Sequence, residues 1–360
     1  MDRVEVITGR QTFTGWRQVT VERGVDRLAS SFSMVVAEKP WPIRPGDDVE
    51  IRLGGERIVT GFVDQVSPAY DNGQHTIAVA GRSRTCDVID CASAAVPGQW
   101  SGLTTEEITR ALVEPFGIEV SLDGPPGEVI PEFRIEQGRR IGDMIEEIAR
   151  LHGLLATDDA DGNIALMAPG TRSAEGRIVR GENVLRARAT IRQTERFSIY
   201  RIKAQRPSDD QTGAAAAAGV TAEAFDDRVH RYRPMIITPP RPLDVIAAQD
   251  LADYERRVRF GRSVEATYTV QGWRQGGGSI WTPGELVAIS DDWLRLEGDM
   301  LIASCRYSYG PDGQRTEINL VRPDAFARAP QADTGSRASA PSTSSSSDGA
   351  DAWADVGIPE

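Results

Sequence analysis

"RPGDDVEIRLGGERIVTGFVDQVSPAYDNGQHTIAV", Arg44 to Val79, is echoed near the other end of the chain by "TPGELVAISDDWLRLEGDMLIASCRYSYGPDGQRTEINL", Thr282 to Leu320. Each stretch opens on Pro-Gly, Pro45-Gly46 or Pro283-Gly284, and then alternates apolar side chains: Val49 and Ile51 in one, Val287 and Ile289 in the other. A period of two is that of a strand, whose side chains point to opposite faces in turn. A glycine follows, Gly61 or Gly298, then a second alternating strand with Phe62 and Val66 against Leu301 and Ala303. A glycine turn, DNGQHT or DGQRT, leads into a last strand carrying Ile77 and Val79 or Ile318 and Leu320. Any two meanders share turns and alternation, but the near-identical turn in the same place points to a duplicated β-barrel-like module. The strands ahead of each copy fit as well, with Val19, Val21, Phe32, Met34 and Val36 before the first and Val264, Ala266, Tyr268 and Val270 before the second.

Between the copies the periodicity changes. "TTEEITRALVEPF", Thr104 to Phe116, opens with a capping box from Thr104 to Glu107 and puts Ile108, Ala111 and Leu112 on one face of a short helix. "IGDMIEEIARLH" spaces Ile141, Ile145, Ile148, Ala149 and His152 for a second helix, closed by Gly153. Leu154 to Ala156 and Ile164 to Met167 read as a hairpin across "DDADGN". That stretch has the alternating acids of a calcium loop, but its glycine is misplaced and no glutamate stands at the twelfth position, so it reads as a plain turn. Farther on, "SDDQTGAAAAAG" is too poor in large apolar residues to pack and reads as a mobile loop. The helix after it carries a stripe of Leu243, Ala247, Leu251, Tyr254 and Val258.

The fold class expected is therefore mainly β with α+β insertions. It comprises two similar antiparallel β-barrel domains in one chain, a small α/β domain between them, a helical segment before the second barrel and a disordered C-terminal tail. The division is residues 1-95 for the first barrel, 96-175 for the α/β domain, 176-205 with 262-326 for the second barrel, 206-261 for the inserted loop and helix, and 327-360 for the Ser/Ala-rich tail.

A net charge of -12 argues against a surface built to neutralise phosphates or to lie on anionic lipid. The N-terminal residues lack a basic-then-apolar signal, and no apolar run approaches the roughly 20 residues of a membrane helix. A soluble protein made in the cytoplasm is expected. The three cysteines, Cys86, Cys91 and Cys305, are odd in number and lack CxxC spacing, which makes them unpaired structural thiols.

No catalytic constellation is legible. His75, His152 and His230 are scattered, with no HxxxH, HExxH, GxSxG, Walker A or GxGxxG pattern. Cys86 lacks the surroundings of a cysteine protease. The adjacent pairs Glu146-Glu147 and Asp158-Asp159 point to different sides of their elements and read as solvated faces. Neither a catalytic, nor a cofactor, nor a metal site is expected.

The stretch "RYRPMIITPPRPLDVIAAQDLADYERRVRFGRSVEATYTVQGW", the following "IWTPGELVAI" and "GDMLIASCRYSYGPDGQRTEINLVRPDAF", and "IPEFRIEQGRRIGDMIEEIARLHGLLATDDADGNIALM" carry a resemblance. They resemble the baseplate hub proteins of contractile phage tails, the Mu-like gpP and late-control-protein-D group, related to the N-terminal part of the type VI spike protein VgrG. The resemblance runs from about Val4 to Phe326. It implies a gp27-like structural hub without enzymatic activity: a homotrimer whose two barrels per chain make a six-part ring joining a sixfold tail tube to a threefold spike. The partners implied are further copies of the chain, the tube or tube-initiator protein, the central spike, and the tape measure and wedge proteins, with DNA passing through unbound. The location implied is the virion baseplate. Trp273 and Trp281 are expected as core or interface anchors, and Trp353 as the anchor by which the tail docks on a neighbour. A peptidoglycan-binding or cell-wall-degrading tail protein is the alternative from another class, though Arg134 to Met167 offers no aromatic side chain to a sugar. A hub of a type VI or other injection system would share the same mechanics.

Overall fold

The computed structural model describes residues 3–9, 11–36, 43–73, 75–94, 98–124, 127, 129–205, 219–240, 242–327 and 330. Apart from Gly219, the small-residue loop lies outside them, as does the Ser-rich tail with Trp353.

The first repeat begins with β1 (Val4–Thr8), β2 (Gln11–Phe13), β3 (Gln18–Gly24) and β4 (Ser31–Val36), followed by β5 (Asp48–Leu53), β6 (Glu56–Tyr70) and β7 (His75–Ser83). Alternation decides their faces: β3 buries Val19 and Val21, β4 buries Phe32, Met34 and Val36, and β5 buries Val49, Ile51 and Leu53. Gly61, expected ahead of the second strand, lies inside β6. The ladder between β6 and β7 slips between Val63 and Gln65, so Asp64 is an extra residue and Val66 is only half-buried. A bulge of this kind changes the phase of every side chain beyond it.

The α/β segment holds α1 (Cys86–Asp90), β8 (Gln99–Trp100), α2 (Thr105–Val113), β9 (Val120–Asp123), β10 (Phe133–Arg134), α3 (Ile141–Leu151), β11 (Leu155–Asp158) and β12 (Ile164–Met167). The capping box on α2 is formed: the Thr104 side chain accepts from the Glu107 N–H and the Glu107 carboxylate accepts from the Thr104 N–H at 2.8 Å. Gly153 follows α3, as its sequence indicates, and β11 and β12 form the expected hairpin, with β9 added in parallel to β12. Ile108 and Leu112 from α2, Ile145 and Ile148 from α3, and Ile164 and Leu166 from β12 share one core.

The remaining elements are β13 (Arg172–Val179), β14 (Val184–Ile191), β15 (Ile199–Ala204), β16 (Val220–Phe225), β17 (Pro234–Ile237), α4 (Val245–Arg262), β18 (Val264–Gln271), β19 (Glu285–Asp291), β20 (Leu296–Gly310) and β21 (Gly313–Val321). The first repeat is ordered β3-β4-β7-β6-β5-β1, and the second β14-β18-β21-β20-β19-β13. Position by position the two orders agree. Detail agrees too: Gly46 and Gly284 sit at φ +89° and +92°, a backbone that favours glycine, and each donates its N–H over 2.8 Å to the long strand, to Val63 O and Ile302 O respectively.

Two separate barrels were expected, but both repeats belong to one thirteen-stranded sheet, joined where β20 pairs with β3. The path through that sheet is open, from β14 to β2. Alternation fixes which face of a strand is buried, and says nothing about which neighbour its edge will meet.

The chain divides into two compact units. One comprises Met1–Ala187, Thr267–Val287 and Leu301–Leu320; the other comprises Arg188–Ala266, Ala288–Met300 and the described residues from Val321 onward. In the second unit β15 lies between β16 and β17, and α4 packs Ala248 and Ala252 against Tyr200, Ile202 and Val220. Of the expected stripe, Leu243 and Val258 are buried, while Ala247, Leu251 and Tyr254 are only partly buried and Ala248 and Ala252 take the inner positions instead. Small side chains bring α4 close to its neighbours, and at its end Gly261 lies so near the turn Pro323–Phe326 that a Cβ would stand 2.3 Å from Ala325 N. Behind the helix, Arg196 and Asp226 form a bidentate buried ion pair at 2.8 and 2.9 Å.

Candidate assembly surface

The groups that could do chemistry are dispersed or sealed. Among the described residues no cluster of His, Cys, Asp and Glu could hold a metal ion. His75 stacks on Tyr70, and His152 Nδ1 contacts Thr105 Oγ1. Burial pushes the Cys86 thiol up to about 11 and the Cys305 thiol to about 12, so neither is a thiolate near neutrality. In "DDADGN", Asp159 Oδ1 accepts from the N–H groups of Asp161 at 2.9 Å and Asn163 at 2.8 Å, which makes it a hydrogen-bonded turn. Asp158 corrects the sequence reading of a solvated pair. It is 4% exposed, and its carboxylate accepts from both the N–H and the hydroxyl of Ser30.

Trp273 and Trp281 are each 2% exposed within the protomer. Trp273 Nε1–H donates to Ser308 O at 3.1 Å, and the Tyr307 hydroxyl donates to Trp281 O. The loop between the two tryptophans is clamped by Gln275. Its amide accepts from Gly176 N–H at 2.8 Å and donates to Glu285 Oε2 at 2.9 Å. Trp353 lies outside the described residues.

Backbone edges dominate what remains accessible. Where the repeats join, Ser304–Tyr309 of β20 run antiparallel to Val19–Gly24 of β3, and Arg306 pairs with Glu22 across the junction. Nearby, Arg274 donates to Glu56 at 3.0 Å and to Gly54 O at 3.2 Å, fastening the second repeat's loop to the first repeat's β5–β6 turn. Besides β2 and β13, which each have one partner, two strand edges of the sheet take no partner among the described residues. β5 follows β6 only as far as Phe62, and β14 pairs with β18 alone among the described strands. Exposed apolar side chains mark both, with Tyr70 ending β6 at 83% exposure and Leu185 and Ile191 on β14 at 53% and 49%. Sequence reading missed these residues, although "VLRARATI" does alternate. In the second unit Trp293 and Tyr232 are also exposed.

An open strand edge leaves a row of backbone donors and acceptors that a further strand can pair with. Comparison with known proteins gives the class. Residues 3–83 match the family model "Mu phage baseplate assembly protein GpP-like, N-terminal", residues 85–168 match "Baseplate hub protein gp44-like, second domain", and residues 245–329 match "Mu phage baseplate assembly protein GpP, fourth domain". The chain is 29% identical to the baseplate hub protein gp44 of Escherichia phage Mu over 327 residues, 87% of this chain and 86% of that one. It is 30% identical to the 43 kDa tail protein of prophage MuSo2 from Shewanella oneidensis, with a TM-score of 0.81 over 91% of this chain and 99% of that one. A type VI secretion component of E. coli, described as similar to the T4 tail proteins gp27 and gp5, shares the fold alone: 10% identity and a TM-score of 0.56 over 88% of this chain and 76% of that one. The chain belongs to the baseplate hub family of Mu-like phages.

Proposed function

We propose that this chain acts as a homotrimer at the centre of a contractile tail's baseplate, where its two repeats serve as barrel-like modules and adapt a threefold spike to a sixfold tail tube. The observation that supports this most directly is the repeated strand order, β3-β4-β7-β6-β5-β1 against β14-β18-β21-β20-β19-β13. Two like modules in each of three chains give six similar positions around one axis, which is what a threefold-to-sixfold adaptor needs. The α/β segment and the helical unit are accessory domains on this frame, and the role is binding without turnover. The partners in this reading are the tube or its initiator, the spike, and the tape measure and wedge proteins. Assembly takes place in the host cytoplasm and the finished protein resides in the virion. The net charge of -12 suits a channel through which DNA passes without sticking. The tail beyond Phe326, with Trp353, is proposed to dock on a neighbouring baseplate component, and deletion from Arg328 onward tests that point.

The test of the main reading is co-expression with the tube and spike proteins of the same tail, followed by light scattering of the purified complex. A stable complex containing three copies of the 39.2 kDa chain supports the adaptor. Failure to bind either protein overturns it.

A further inference from the structure

α4 runs out through "RRVRFGRS", Arg256 to Ser263. Cations in a last turn offset the negative end of a helix, which accounts for Arg259 and Arg262. It does not account for Arg192 and Arg196, which come from the connection between β14 and β15. Arg192 N–H donates to Ser263 O at 2.8 Å and ties that connection to the helix end. The two segments line a surface cavity of about 120 Å³ with these four arginines and a single carboxylate, Glu195. Every lining residue belongs to the second unit. In a chain of net charge -12 the cavity is a local reversal of sign.

The four arginines have donors left over, since a guanidinium carries five N–H groups. Among the described residues, Arg196 uses Nε and Nη2 on Asp226, Arg259 uses the same two nitrogens on Glu255, and Arg192 reaches Glu265 through Nη1 at 3.2 Å. No carboxylate among them pairs with Arg262, whose Nε donates to Ala325 O at 3.3 Å. Positive charge also gathers behind the cavity. Arg196, Arg228 and Arg322 stand over the Phe260 ring at 4.9, 4.9 and 4.2 Å from its centroid. Burial holds the Arg322 guanidinium below the usual arginine value, and Arg228 and Arg196 add to this against the pull of Asp324. An anion relieves like charges gathered so closely.

The shape of the donor set selects the anion. A planar carboxylate has two oxygens, whereas a phosphate presents oxygens in several directions and takes bidentate contacts from guanidinium groups. Guanidinium groups from two segments, around a volume equal to about four waters of liquid, suit the second. We infer that the cavity lined by Arg192, Arg196, Arg259 and Arg262 binds one tetrahedral oxyanion of the phosphate class, carried by a free anion or by a nucleic-acid backbone. Arg262 is its principal ligand, because internal carboxylates already hold the other three. Glu195 opposes the anion and sets a limit on its affinity.

Isothermal titration calorimetry of the full-length chain with inorganic phosphate, at an ionic strength fixed by chloride, tests this, with acetate as the planar control. One phosphate per chain is expected, bound about tenfold more tightly than acetate or better. Arg262→Gln and Arg192→Gln should each weaken phosphate by about tenfold or more, and Glu195→Gln should strengthen it. All three replace side chains of exposed residues, and thermal melts should show the protomer folded in each. A short DNA duplex added to the phosphate-loaded chain distinguishes the sources: displacement assigns the site to a nucleic-acid backbone, and its absence to the free anion. Phosphate that binds no better than acetate overturns the inference, as does equal binding by the parent and the two arginine variants. Either failure leaves the hub reading standing, because the repeats take no part in this measurement.

Discussion

Arg306 on β20 stands directly opposite Glu22 on β3, and its guanidinium pairs with that carboxylate at the line where the second repeat meets the first. The Arg306 side chain is 54% exposed and that of Glu22 30%, so solvent screens the pair. One residue further along β20, Tyr307 stands opposite Val21 and is fully buried, with its hydroxyl on Trp281 O. The junction thus has a wet charged side and a dry one.

The dry side carries the energy. A double-mutant cycle on Glu22→Ala and Arg306→Ala is expected to give a coupling of about 0.2–1 kcal/mol. Tyr307→Phe leaves the buried Trp281 carbonyl without its partner and should cost more, about 1–3 kcal/mol. Chemical denaturation of the five proteins, the four of the cycle and Tyr307→Phe, decides the order, and a coupling above the cost of Tyr307→Phe would reverse it.

Asp158 gives the fold a pH dependence of unusual sign. Burial pushes its carboxyl up, against the opposing pull of Arg23 and of the hydrogen bonds from Ser83 and Ser30. A carboxyl that holds its proton more tightly folded than unfolded contributes stability below the ordinary carboxylate range, and that contribution is lost as pH rises through the folded value. Asp158→Asn should remove this dependence while keeping an acceptor for Ser30. Asp158→Ala should remove it too and leave the Ser30 hydroxyl without its acceptor, the Ser30 N–H keeping Ser83 Oγ at 3.1 Å, at a cost of about 1–3 kcal/mol that shrinks as pH rises. Denaturant melts from acid to neutral pH for the three proteins separate these effects.

Arg196 and Asp226 have side-chain exposures of 6% and 8%. Arg196→Ala strands a buried carboxylate and is expected to destabilise the second unit by about 3–5 kcal/mol, while Arg196→Met with Asp226→Leu costs much less because no charge is left alone. Calorimetry should show the loss in the transition that includes α4. Equal losses for the two proteins would mean that packing, not charge, governs this site.

Gly261→Ala tests the contact between α4 and the turn after β21. In a solvated helix alanine would stabilise by roughly 1 kcal/mol, but here the methyl group would meet the backbone of Asp324 at 2.6 Å as well as that of Ala325. Overpacking should win, with a loss of about 1–3 kcal/mol. Gain of stability in a thermal melt would show that the turn yields freely.

Much of this architecture was legible because it is written locally. Pro-Gly at Pro45-Gly46 and Pro283-Gly284, the turns before β7 and β21, and the alternation between them sufficed to show the repeat, and the Thr104 capping box placed α2. What escaped was decided by tertiary contact. β14 carries arginines between its small and apolar residues, and although Gly181 and Asn183 mark the turn before it, nothing in it announced a counterpart of β3. Asp158 sits in a run of acids that reads as a solvated turn, yet the pleat aims it inward at Ser30. On α4 the stripe held at Val258 but missed Ala248 and Ala252, because alanines at Ala247 and Ala248 give its period no contrast. Above all, the pairing of β20 with β3 joins strands from opposite ends of the chain, and periodicity does not encode such a meeting. The open edges become visible only beside the covered ones.

That pairing also sets a timetable for synthesis. β3 ends at Gly24 and β20 begins at Leu296, so at about 5–20 residues per second the ribosome needs on the order of 15–55 seconds between finishing one and reaching the other. Throughout that interval the first repeat waits with the edge of β3 vacant. A neighbouring nascent chain on the same messenger can offer its own β20 first, giving a swapped pair in place of a closed protomer. Slowing translation or crowding ribosomes on the message should raise the yield of such swapped species, and early chaperone cover of the first repeat should lower it.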